Sequence, residues 1–287
     1  MTEILSLEQG FKDFENQLKT KKLSSATILA YSTDIKQLVV FLTDQKISGF
    51  SQITPELLEK YNAYLIKKDY QPVSCARKLN ALRTFFDYLV SKGILTKNIA
   101  KDVISPKFVK EAPRILTKME YRALRDSCRS NSRTAALIEI FLQTGLKVSE
   151  VAHLTIQDIN KDKLIIKKGD LADREIPLTQ SARKAIDRYL KDRPESKTDK
   201  LFVTKNGTPL LIRNMSTILM RCFEQAEIKN ASLNSLRHTW IYTQLSSGVS
   251  LQIVSELAGH KRISSAAKYL SIIEKKNIPT RSKLIEL

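Results

Sequence analysis

The chain has 287 residues, of which 42% are hydrophobic, enough to bury the core of one large or two ordinary domains. Its net charge of +18, from 48 Lys and Arg against 30 Asp and Glu, exceeds what solubility requires and points to a polyanion, with nucleic acid the first candidate. Three scattered cysteines, Cys75, Cys128 and Cys222, exclude a disulfide framework and a paired-cysteine metal site, and no run of 18 apolar residues suggests a membrane span. A cytoplasmic protein with reduced core thiols is expected.

The first 105 or so residues carry almost only helical signals. Leu23-Ser24-Ser25-Ala26-Thr27 supplies N-cap chemistry, and Ile28, Tyr31, Ile35, Leu38, Val39 and Leu42 follow at spacings of three and four. Thr54-Pro55-Glu56 opens a second helix with proline in its first turn and Leu57, Tyr61, Tyr64 and Leu65 as its stripe. A third begins near Ser74 and runs to Gly93. From Ile104 to Leu116 the periodicity breaks, with Pro106 and Pro113 bracketing a polar, basic stretch that reads as an extended linker.

Thr117-Lys118-Met119-Glu120 is a capping box opening a second helical domain. Within it, Lys163–Lys167 and Arg174–Leu178 flank a polar turn containing Gly169 and predict a β-hairpin with a loose loop. Helical signals return from Ser181, punctuated by Gly207 and Gly248. The fold class is therefore mainly α with a small antiparallel β-sheet. The expected domains are 1–104, a linker at 105–115, 116–270, and a tail at 271–287. Basic residues number 17 against 12 acidic before Ala112 and 31 against 18 from there on, so the second part carries most of the field.

Near the C-terminus, Tyr269 follows His260 by nine residues and Arg237 by 32. A phenol is an unusual nucleophile, but with arginine and histidine donors around a phosphate it can attack phosphorus. Thr144-Gly145-Leu146-Lys147-Val148-Ser149-Glu150-Val151-Ala152-His153-Leu154, the hairpin, Leu236-Arg237-His238, Ala258-Gly259-His260 and Tyr269 together resemble the tyrosine recombinase (phage integrase) family, above all its compact XerC/XerD-like members. The resemblance spans nearly the whole chain, since the first domain, including Lys78–Phe86, is similar to the family's helical core-binding domain.

This likeness implies a helical core-binding domain plus a catalytic domain closing around double-stranded DNA with inverted half-sites, working as a homotetramer or heterotetramer. It implies that Tyr269 attacks the scissile phosphate, releases a 5′ hydroxyl and stays joined to the 3′ phosphate. It also implies that Arg237 clamps the nonbridging oxygens, His260 donates to them, and Lys168 protonates the leaving oxygen, with Lys167 an alternative. No cofactor is implied, because the phosphotyrosine conserves the bond energy. The tail at 271–287 is expected to dock into a neighbouring subunit.

Two positions depart from the family pattern. Lys147 stands where the family has its first arginine, and lysine keeps the charge while losing the planar fork. Asn234 replaces a histidine one helical turn before Arg237, keeping a donor but losing a proton shuttle. His153 and His238 read as packing residues. Besides a recombinase, the sequence admits a DNA-binding factor of the same fold weakened through Lys147 and Asn234, and a type IB topoisomerase.

Overall fold

A computed structural model describes residues 6–21, 23–108, 111–168 and 171–274, with the side chains of 168, 171 and 172 set aside. The chain divides into two compact units, Met1–Glu111 and Ala112–Leu287. No helix among the described residues is long and apolar enough to cross a membrane.

The first unit contains α1 (Leu7–Thr20), α2 (Ser25–Asp44), α3 (Pro55–Lys67) and α4 (Pro72–Ser91). Ser24 Oγ accepts from Thr27 N–H, and Thr54 Oγ1 accepts from Leu57 N–H, so both predicted caps hold the starts of α2 and α3. The third predicted helix starts at Pro72, two residues before Ser74, because proline fits the first helical position. Phe14, Phe50, Phe85 and Phe86 meet in a core where the Phe14 and Phe85 rings stand 5.0 Å apart, edge to face. The described residues of 104–117 form neither helix nor strand.

The second unit contains α5 (Lys118–Ser127), α6 (Ser132–Thr144), α7 (Val148–His153), β1 (Lys163–Lys168), β2 (Leu171–Pro177), α8 (Gln180–Asp192), α9 (Ile212–Gln225), α10 (Leu233–Ser246), α11 (Leu251–Leu257), α12 (Ser264–Ala267) and α13 (Leu270–Glu274). The capping box at α5 closes reciprocally, Thr117 Oγ1 taking the Glu120 N–H and Glu120 Oε2 taking the Thr117 N–H. Helix α6 lies at the centre, with Leu137, Ile140, Phe141 and Leu142 all fully buried.

The two strands pair antiparallel, Leu164 opposite Ile176 and Ile166 opposite Arg174, with an irregularity between Ile166 and Lys168. The hairpin is tighter than predicted. Strand β2 starts at Leu171 rather than Arg174, so the stretch read as a loose loop is largely strand. The alternation that signals a strand is broken there by Asp173, and the irregular register absorbs the mismatch. The fold is mainly α with one small antiparallel sheet.

Candidate active site

Helix α10 is the spine of the site. Its Arg237 is 7% exposed and donates from Nη1 to the Gly145 carbonyl at 2.5 Å and from Nη2 to the Ala258 carbonyl at 2.7 Å. Burial lowers the guanidinium pKa, while Glu150 and Tyr269 push it back up. Gly145 ends α6 at φ +60, and a Cβ there would lie 2.3 Å from the Trp240 ring, so only glycine presents this carbonyl to Arg237.

The end of α11 gathers the cations. Three successive carbonyls, of Leu257, Ala258 and Gly259, accept from Arg174 Nε at 3.0 Å, Arg237 Nη2 at 2.7 Å and Lys147 Nζ at 3.3 Å. Helix C-termini carry unsatisfied carbonyls and partial negative charge, so the cations are drawn there from three other elements. Gly259 turns the chain at φ +64, and a Cβ on it would lie 2.8 Å from Arg174 Cζ.

The Glu150 carboxylate stands close to this group of cations. Glu150 Oε1 lies 2.9 Å from Arg174 Nη2, while Glu150 Oε2 accepts the Lys147 N–H at 2.8 Å. The contact to Arg174 is an ion pair rather than a well-directed hydrogen bond, since both terminal nitrogens of that guanidinium lack a hydrogen-bond partner although its side chain is only 9% exposed.

His260 follows directly, its N–H bonded to the Ser255 carbonyl at 2.9 Å and its Nδ1 buried without a partner. Burial, then Arg237, Lys147, Lys268 and His238, push its pKa down to about 4, so the ring is neutral at pH 7. Positive charge and unpartnered polar atoms thus coincide in one pocket. That combination suits an oxyanion.

Tyr269 is 1% exposed within a small cluster with Trp240, Ile241, Val254 and Ala258. Burial raises its pKa to about 12 against the pull of Arg237. Its hydroxyl lies 2.5 Å from His238 Nδ1. His238 packs its ring against Tyr269, as the sequence suggested, and in addition meets the tyrosine hydroxyl. His153, by contrast, does not pack, being exposed with Nδ1 2.6 Å from the Ser149 carbonyl.

The structure brings Tyr269, Arg237, His260 and Lys147 together, while Asn234 lies exposed in the first turn of α10. Lys168 ends β1, and its side chain lies outside the described residues. Lys167 Nζ is paired with Asp158 at 3.0 Å. Sequence reasoning missed Glu150 and Arg174. Glu150 was findable only as an acidic residue in the first turn of α7, three residues after Lys147, where it can accept an N–H; Arg174 carries no signal beyond its place in a strand.

Comparison with known proteins supplies the lineage. Residues 111–275 match the family model described as the phage integrase family, and residues 11–93 match the phage integrase N-terminal SAM-like domain. The tyrosine recombinase XerC of Leptospira interrogans serovar Lai is 31% identical over 285 residues, covering 94% of this chain and 91% of its own. A tyrosine recombinase of Pseudothermotoga lettingae is 28% identical over 286 residues, covering 97% and 98%. Among solved structures, a lambda integrase tetramer bound to a Holliday junction superimposes with a TM-score of 0.76 at 17% identity, covering 93% of this chain and 78% of that one. With Arg237 and Lys268 beside a buried tyrosine and a match over most of its length, the chain belongs to the phage integrase family of site-specific tyrosine recombinases.

Proposed function

We propose that this chain cleaves and rejoins duplex DNA through a 3′-phosphotyrosine at Tyr269. The observation that carries the reading is the set of three cations held on successive carbonyls at the end of α11, one of which, Arg237, also acts on the buried tyrosine. A scissile phosphate offers these cations better acceptors than peptide carbonyls do. Arg237 then holds two nonbridging oxygens in a fork, and Lys147 and His260 add charge and a hydrogen bond as the pentacoordinate transition state gathers negative charge.

The Tyr269 oxygen bonds to phosphorus, the bond to the 5′ oxygen breaks, and Lys168 delivers a proton to that oxygen. The pairing of Lys167 with Asp158 favours Lys168 over its neighbour for this task. Attack by the 5′ hydroxyl of another strand reverses the step. Lys147 and Asn234 reduce the cleavage rate, the first by losing a planar fork and the second by losing a proton shuttle.

The charge excess from Ala112 onward fits a DNA backbone, and the lambda tetramer on a Holliday junction suggests the same assembly here, on inverted half-sites, with identical or related subunits. In that assembly the tail at 271–287, mostly outside the described residues, reaches a neighbour. A DNA substrate places the work in the cytoplasm.

Covalent capture tests this reading. Nicked duplexes tiled from the DNA flanking the gene are incubated with the chain and with Tyr269→Phe, then run on a denaturing gel. An adduct that vanishes with Tyr269→Phe is the expected result. Specific DNA binding with no adduct from either protein would instead leave a DNA-binding factor of recombinase fold.

A further inference from the structure

The Tyr269 hydroxyl meets a residue that has no assigned part in the reaction. His238 Nδ1 lies 2.5 Å from the Tyr269 hydroxyl, and their ring centroids are 5.8 Å apart with planes tilted by 51°. Both groups are largely withdrawn from solvent. A phenol that is to attack phosphorus must lose its proton, and at neutral pH it does so readily only to an acceptor within hydrogen-bond reach.

Asn234 lies exposed in the first turn of α10, and a carboxamide has no titrating nitrogen. Glu150, the carboxylate paired with Arg174, is engaged there and with the Lys147 N–H. His260 is the other imidazole of the pocket, and His238 is the one that touches the phenol. We propose that His238 is the general base that takes the Tyr269 proton during strand cleavage. This rests on Tyr269 being the nucleophile.

The proton inventory closes. The Tyr269 O–H bond breaks and its proton moves to His238 Nδ1; the phenolic oxygen bonds to phosphorus; the bond from phosphorus to the 5′ oxygen breaks, and that oxygen takes a proton from Lys168. In rejoining, a 5′ hydroxyl returns a proton to Lys168 and attacks phosphorus, and the imidazolium gives its proton back to the departing phenolate. His238 begins the cycle neutral, its pKa pushed down to about 4 by burial, Lys268 and Arg237. A neutral ring facing a protonated phenol is the pairing that a base needs. The same cations weaken the base, and a phosphodiester anion among them offsets that effect as the reaction begins.

A merely positioning hydrogen bond would hold the ring in place without accepting its proton, and nucleophile acidity separates the two roles. His238→Gln preserves size and an acceptor oxygen but cannot carry the proton. Single-turnover adduct formation on a nicked duplex is expected to slow about 100-fold in this variant, with DNA binding and melting temperature close to those of the unmodified chain. Replacing Tyr269 with the more acidic 2,3-difluorotyrosine is expected to recover most of that loss in His238→Gln and to change the unmodified chain little. A His238→Gln rate within threefold of normal, or a deficit that the fluorinated nucleophile leaves intact, would overturn the base assignment while leaving Tyr269 as nucleophile. Failure of the unmodified chain to form any adduct would overturn both.

Discussion

Two groups of charges, one in each unit and each built around a buried member, Asp34 in the first and Arg237 in the second, solve the same problem differently. In the first unit, Asp34 is 1% exposed and accepts from Arg77 through both oxygens and from Lys78 Nζ at 2.9 Å, while that amine also donates to Gln37 Oε1 at 2.7 Å. Every member of this cluster has a charged or polar partner inside the protein. In the second unit, Lys147, Arg174 and Arg237 lean on peptide carbonyls beside one carboxylate, and His260 Nδ1 and Arg174 Nη1 have no hydrogen-bond partner. A closed cluster ties helices together, whereas an open one is electrostatically short of an anion. The first arrangement is what a structural ion pair needs, and the second is what a site for an anion needs.

Breaking the open cluster should cost activity far more than stability. Arg237→Gln is expected to slow adduct formation about 100- to 1000-fold, the usual loss when one oriented donor to a developing oxyanion is removed. Single-turnover cleavage of a nicked duplex measures it. Lys147→Arg restores a planar fork and is expected to speed the same reaction by about tenfold or more. No gain would place the limitation elsewhere in the pocket.

Breaking the closed cluster should do the reverse. Asp34→Asn leaves the buried Lys78 amine without its counter-charge and is expected to cost the first unit about 3 kcal/mol. Denaturant unfolding checks this, and cleavage per folded molecule should be unchanged.

Mild acid should sharpen the contrast with the smallest effect. All three histidines, His153, His238 and His260, and the single tryptophan, Trp240, lie in the second unit. His238 and His260 have folded pKa values of about 4, below the ordinary 6.5, so the unfolded chain binds protons more readily between those limits. Their contribution is fully present above about pH 6.5 and is lost as pH falls toward 4. Between pH 7 and 5.5, unfolding followed by Trp240 fluorescence should shift to lower denaturant, while the first unit, which has no histidine, should hold its midpoint.

Local signals made much of this architecture legible. The caps at Ser24, Thr54 and Thr117 bind in the structure as their side-chain chemistry implied, because a cap depends on only three or four neighbouring residues. Helix α1 was less visible, since Leu7, Phe14 and Leu18 are buried but their stripe is diluted by polar residues. The hairpin is legible but its second strand reads too short, because Asp173 and a register irregularity interrupt the alternation.

For the site, ordered motifs brought Arg237, His260, Lys147 and Tyr269 to notice. They did not disclose Arg174, whose guanidinium reaches the end of α11 across 83 residues of sequence, or the role of His238. A histidine adjacent to an arginine looks the same in a sequence whether it packs or faces a phenol. Only the fold brings α10 against the segment bearing Tyr269.

An anion bound beside Arg237 and Lys147 acts on the neighbouring His260 ring, and histidine-resolved proton NMR with inorganic phosphate tests this directly. Three histidines make assignment by single substitutions practical. Phosphate is expected to shift the His260 resonance and raise its pKa from about 4, because the anion counters Arg237 and Lys147, while exposed His153 stays nearly unchanged. A His260 resonance indifferent to phosphate, or one that moves no more than that of His153, would contradict the account.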